Sequence, residues 1–128
     1  MSQRSPETQP AEAYDGAAAI DLRHLSRYTL GDPALEAEVL GLFAEQLPDT
    51  IDALKEACCD KAWYTAAHTL KGSARAVGAW RLAQLAEQAE RLPSLATAAQ
   101  AELVAAIETA AREAGEFIAA LAPARGRS

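Results

Sequence analysis

At 128 residues the chain has room for one domain and not for two. Half of it is apolar, but only 5% is aromatic and much of the apolar share is alanine, a composition that favours closely packed helices. A net charge of -6 excludes a general binder of nucleic acid or anionic membranes. No apolar run approaches the roughly 20 residues needed to span a bilayer, and the polar N-terminus lacks a signal-peptide core. A soluble, reducing, cytoplasmic setting is therefore expected.

Residues 1–18 read as a disordered tail, polar and marked by Pro6, Pro10 and Gly16. Asp21 is placed to cap a short helix with Leu22, Leu25 and Tyr28 on one side, ending at Gly31. Asp32-Pro33 is a strong helix start, and Leu35, Val39, Leu42, Phe43, Leu47, Ile51 and Leu54 keep helical period from there to about Cys58. Pro48 predicts a kink near Gln46–Leu47 rather than a break, because the apolar phase continues across it. Cys58 and Cys59, adjacent and without further cysteines, form no disulfide framework or zinc site and read as small buried hydrophobes near a helix end.

Asp60 then caps a helix running to Val77, with Gly78 at its end. Leu82, Leu85, Ala86, Ala89 and Leu92 stripe another, stopped by Pro93. Thr97 and Gln100 form a capping box for a last helix carrying Leu103, Ile107, Ala110, Ala114, Phe117 and Leu121, which frays at Pro123 into a flexible tail over 123–128. No segment alternates as a strand. The prediction is an all-α protein, with residues 19–122 forming an antiparallel four-helix bundle and the short N-terminal helix covering one end.

One residue departs from this pattern. Trp63, Ala67, Leu70, Ala74 and Val77 mark an apolar stripe at spacings of three and four, and His68 falls roughly opposite it. Tyr64, Lys71, Gly72 and Arg75 lie nearest the histidine on that outer face. Gly72 inside the helix costs about 1 kcal/mol relative to alanine, so the arrangement needs a reason other than stability. Neither His68 nor His24 has carboxylates at metal-ligand spacing, and the chain has no nucleophile motif or phosphate-cradling loop, hence no visible ATP site. What remains is the imidazole itself, whose ring nitrogen is able to accept a phosphoryl group. Lys71 offers a cation for the phosphoryl oxygens, and Gly72 offers clearance for a partner's reactive group. Residues 61–92 carry five basic side chains against Glu87 and Glu90, a basic sector suited to an acidic partner surface.

The run His68-Thr69-Leu70-Lys71-Gly72-Ser73-Ala74, followed by Val77-Gly78-Ala79, resembles the signature of histidine-containing phosphotransfer (HPt) domains. The likeness extends in pattern from about Asp32 to Leu92, and the final helix completes the bundle the family implies. By that resemblance His68 is the phosphoacceptor, Lys71 balances phosphate charge, and Glu90, 22 residues on, takes the place of the glutamine or glutamate that orients the imidazole. A glutamate there would keep a proton on the facing ring nitrogen. Arg75 and Tyr64 join Gly72 in an expected docking surface.

The resemblance implies a phosphocarrier and not an enzyme, and a monomer is expected. It needs no cofactor of its own, the Mg²⁺ belonging to the partner. The partners are the receiver domains of a hybrid sensor histidine kinase and of a response regulator. Two alternatives stay open: a phosphoacceptor domain charged directly by a histidine kinase, and a helical adaptor that works without phosphorylation.

Overall fold

The computed structural model describes residues 19–92 and 97–127, and of 122–127 the backbone only. Among the described residues there are five helices and no strand: α1 (Leu22–Thr29), α2 (Pro33–Lys55), α3 (Asp60–Val77), α4 (Trp80–Arg91) and α5 (Thr97–Arg127). Helices α2 to α5 form the bundle. Each packs on its neighbours in sequence, α5 closes the ring against α2, and α1 lies across α2 and α3. Residues 1–18, Pro93 and Ser128 fall outside the described residues, as does the approach to the expected Thr97 capping box.

The core is the apolar stripe of each helix. Leu40, Phe43, Leu47, Ile51 and Leu54 of α2 meet Trp63, Leu70 and Val77 of α3, Leu82 and Leu85 of α4, and Ile107 of α5. Ala66, Ala67, Ala74, Ala86, Ala89, Ala110 and Ala114 are buried between them, letting the backbones approach closely. Two assignments shift on α2. Leu35 and Leu42 are exposed, while Leu40 and Glu36 are buried, because the inward stripe steps 36–40–43–47–51–54. The Glu36 carboxylate accepts from Thr29 Oγ1 at 2.9 Å and Ser26 Oγ at 3.3 Å, which satisfies it beneath α1. On α1, Tyr28 is 68% exposed and Thr29 is buried in its stead. Successive steps of three from Leu22 rotate off the packing face, whereas Thr29 lies one helical turn from Leu25.

The helix boundaries also differ in places. The helix α2 runs unbroken through Pro48 and stops at Lys55. Cys58 and Cys59 sit in the following turn and are exposed, correcting the buried reading; Ala57 is the half-buried residue there. Cys59, not Asp60, occupies the N-cap of α3 and makes no side-chain capping bond; Asp60 is already in the first turn, where its charge suits the helix dipole. The backbone of α5 stays helical past Pro123 to Arg127, where fraying was expected, at the cost of the one hydrogen bond a proline cannot donate.

The junction between α3 and α4 positions everything that follows. Gly78 adopts φ 81°, and the Ala79 N–H bonds the Ala74 carbonyl at 2.8 Å, closing α3 in a Schellman-type cap. The Asp21 N–H donates to the Gly78 carbonyl at 2.8 Å, and a Cβ at Gly78 would come within 2.8 Å of the Asp21 carbonyl oxygen. Glycine is thus required both for its dihedral and for the contact. Asp21 caps α1 through the His24 N–H and also accepts from Trp80 Nε1 at 2.9 Å. Burial pushes its carboxyl up, but the hydrogen bonds from Trp80 and from the backbone outweigh this and hold it below the usual range.

Candidate functional site

Helix α4 returns antiparallel along α3, as the contact between Trp63 near the start of α3 and Ala89 near the end of α4 requires. The buried Trp63 indole donates from Nε1 to the Ala89 carbonyl at 2.7 Å. That bond sets the register of the two helices beside the next residue, Glu90.

Glu90 is the hub of the site. Its Oε2 lies 2.7 Å from His68 Nδ1, and its Oε1 accepts from Lys71 Nζ at 2.8 Å. The His68 side chain is 60% exposed, while those of Glu90 and Lys71 are 10% and 16% exposed. Partial burial raises the Glu90 carboxyl's affinity for protons, but hydrogen bonds from Lys71 and His68 and their nearby charges overcome it, leaving the pKa below the usual 4.5. Glu90 is therefore a carboxylate at neutral pH. Facing Nδ1 it can only accept, so the ring proton belongs on Nδ1 and the free lone pair on Nε2.

The remaining predicted residues gather around this triad. The Tyr64 ring stacks on the imidazole with centroids 5.6 Å apart and planes 14° from parallel. Gly72, one turn beyond His68, is exposed, and a Cβ there would meet nothing within 4 Å. Arg75 is half exposed and paired with Glu87 at 3.5 Å, and Glu87 also holds Arg91 at 3.0 Å. The basic sector is therefore partly neutralised by its own two glutamates. A largely apolar groove of about 590 Å³ runs between α2 and α3, lined in part by Ala53, Ala62, Thr65, Ala66 and Thr69, with Asp49 and Lys61 also in its lining.

Sequence reasoning missed three features here. The Arg75–Glu87 pair and the Asp21–Trp80 bond depend on inter-helix contacts that no local pattern signals, whereas Glu87–Arg91 is an i, i+4 pair within α4. His24, read as an ordinary surface histidine, is flanked edge-on by Tyr28 and Trp80.

A family model for the Hpt domain matches residues 38–121, more than half of the chain and the whole of the His68–Glu90 constellation. The chain belongs to the Hpt domain family. No curated protein and no solved structure gives a significant match. Membership makes this a histidine phosphotransfer module of two-component phosphorelays, a carrier and not a catalyst, whose partners are receiver domains. Among the described residues no helix is long and apolar enough to cross a membrane.

Proposed function

We propose that His68 of this Hpt domain accepts a phosphoryl group on Nε2 from the aspartyl phosphate of a receiver in a hybrid sensor kinase and passes it to a response-regulator aspartate. The observation that carries this reading is the Nδ1–Glu90 contact at 2.7 Å, which leaves Nε2 as the nucleophile on a half-exposed ring. In the step, the Nε2 lone pair attacks phosphorus, the N–P bond forms, and the P–O bond to the donor carboxylate breaks. The Nδ1 proton stays in place, and Glu90 balances the positive charge that develops on the ring. Lys71, held one turn away, shifts from Glu90 toward the phosphoryl oxygens as they arrive.

Docking uses the exposed side of α3, with Gly72 admitting the partner, Tyr64 and Arg75 in contact with it, and the neighbouring α2–α3 groove available for apolar surface. The protein acts as a cytoplasmic monomer and carries no cofactor; the Mg²⁺ that phosphoryl transfer needs is held by the receiver.

The carboxylate at position 90 also supports a second reading, direct phosphorylation by a histidine kinase, since the phosphoacceptor domain of chemotaxis kinases makes a similar choice. Both readings are tested by supplying either a phosphorylated receiver with Mg²⁺ or ATP with a kinase domain that lacks a receiver. An acid-labile, alkali-stable label on the wild type that is lost in His68→Gln identifies the carrier, and the donor that works identifies the route. Partner signalling that survives His68→Gln and His68→Ala would establish an adaptor instead.

A further inference from the structure

Along α3 the two helical neighbours of His68 are opposites. One turn before it stands Tyr64, half exposed, its ring nearly parallel to the imidazole at 5.6 Å. One turn after it is Gly72, with open space where a side chain would begin. The exposed imidazole is thus tethered at one edge by Glu90 and flanked on its N-terminal side by an offset, near-parallel aromatic ring, while the position on its C-terminal side carries no side chain. A single hydrogen bond leaves a ring free to swing about its tether, and an aromatic neighbour at this separation favours one orientation by about 0.5–1.5 kcal/mol. Neither ring is buried in the core, so the stack is not a by-product of bundle packing.

Resting on the phosphocarrier reading, we infer that Tyr64 is a positioning residue. It fixes the plane of the His68 ring against Glu90 and closes its N-terminal side, so that a receiver reaches Nε2 from the Gly72 side. This goes beyond a docking contact, because a docking contact changes how tightly the partner binds, whereas a positioning contact changes how fast the bound partner reacts.

The test compares wild type, Tyr64→Phe and Tyr64→Ala in single-turnover transfer from a phosphorylated receiver at varied receiver concentration, alongside side-chain ¹³C relaxation of the His68 ring. Tyr64→Ala should lower the saturating rate about five- to tenfold, the rate equivalent of losing one aromatic stack. Its half-saturating concentration should change by less than the rate does, and its ring should gain mobility. Tyr64→Phe, which keeps the plate and loses only the hydroxyl, should match wild type. A Tyr64→Ala protein with an unchanged saturating rate and ring order but weaker half-saturation would overturn the inference and leave Tyr64 a docking contact. A Tyr64→Phe protein as impaired as Tyr64→Ala would overturn it too, assigning the effect to the hydroxyl. The relaxation measurement needs no phosphodonor. If wild type takes phosphate from neither a receiver nor phosphoramidate, the carrier reading fails, while ring order in Tyr64→Ala still decides whether Tyr64 holds the imidazole.

Discussion

Replacing Glu90 with glutamine keeps the shape of the hub and removes its charge. In the phosphorylated state the ring carries both the phosphoryl group on Nε2 and a proton on Nδ1, so it is cationic and faces Glu90 at the 2.7 Å separation seen here. Because His68 is 60% exposed, the dielectric of water is the appropriate limit, and a unit charge pair at that distance is worth about 1.5 kcal/mol. Lys71 shares the carboxylate and offsets part of this. The equilibrium should therefore shift by roughly three- to tenfold. The direction is toward the receiver, since the ring with a proton on Nδ1 and a phosphoryl group on Nε2 is always cationic and loses more of the pairing than the unphosphorylated ring does. Partition of ³²P between a receiver and this protein at equilibrium, for wild type and Glu90→Gln, reads the shift directly. Nitrogen-15 shifts of the His68 ring report whether the proton remains on Nδ1. An unchanged partition with unchanged ring shifts would show that the Glu90 charge does not act on the imidazole, and the electrostatic argument would be wrong.

The depressed Glu90 pKa also has a stability consequence. A carboxylate whose folded value lies below the usual 4.5 contributes fully above that value and loses its contribution as pH falls through the folded one. Urea midpoints of wild type should accordingly exceed those of Glu90→Gln at pH 7, with the gap closing in acid; a gap that persists at pH 2 would point to packing instead. Gly78→Ala forces a side chain into φ 81° and toward the Asp21 carbonyl, which should cost about 2–3 kcal/mol and appear as a melting temperature lowered by about 10 °C or more. Gly72→Ala meets open space in a helix interior, so it should stabilise by about 1 kcal/mol while slowing transfer from a receiver; a stabilised variant with full transfer rate would remove the clearance role of Gly72. Trp63→Phe loses the bond to the Ala89 carbonyl and should cost about 1–2 kcal/mol in chemical denaturation.

Much of the architecture is local information. The Asp32-Pro33 start, the Trp63–Val77 stripe and the Gly78 stop each depend on a few neighbouring residues and on helical period, and each holds in the structure. The outward placement of His68 and Gly72, with Lys71 at the margin of that face, follows from the same 3.6-residue repeat, which is why the candidate site is legible in the sequence. Assignments at the edges of stripes fared worse. Leu35, Leu42 and Tyr28 are apolar enough to be read as core, but which flank of a helix is covered depends on the helix packed beside it. Cys58 and Cys59 are exposed for a similar reason, since the turn between α2 and α3 turns Ala57 inward instead.

The sequence by itself determined the helices, their apolar faces and the identity of the outward histidine, because these follow from dihedral preference and periodicity along one segment. Only the tertiary structure decided what surrounds that histidine. Glu90 reaches Nδ1 because Gly78 turns the chain and Trp63 sets the register of α4 on α3. Lys71 rests on the same carboxylate, and Arg75 is shared with Glu87. These are distances between side chains on different helices. They are set by how two packed surfaces interdigitate, which no single segment specifies.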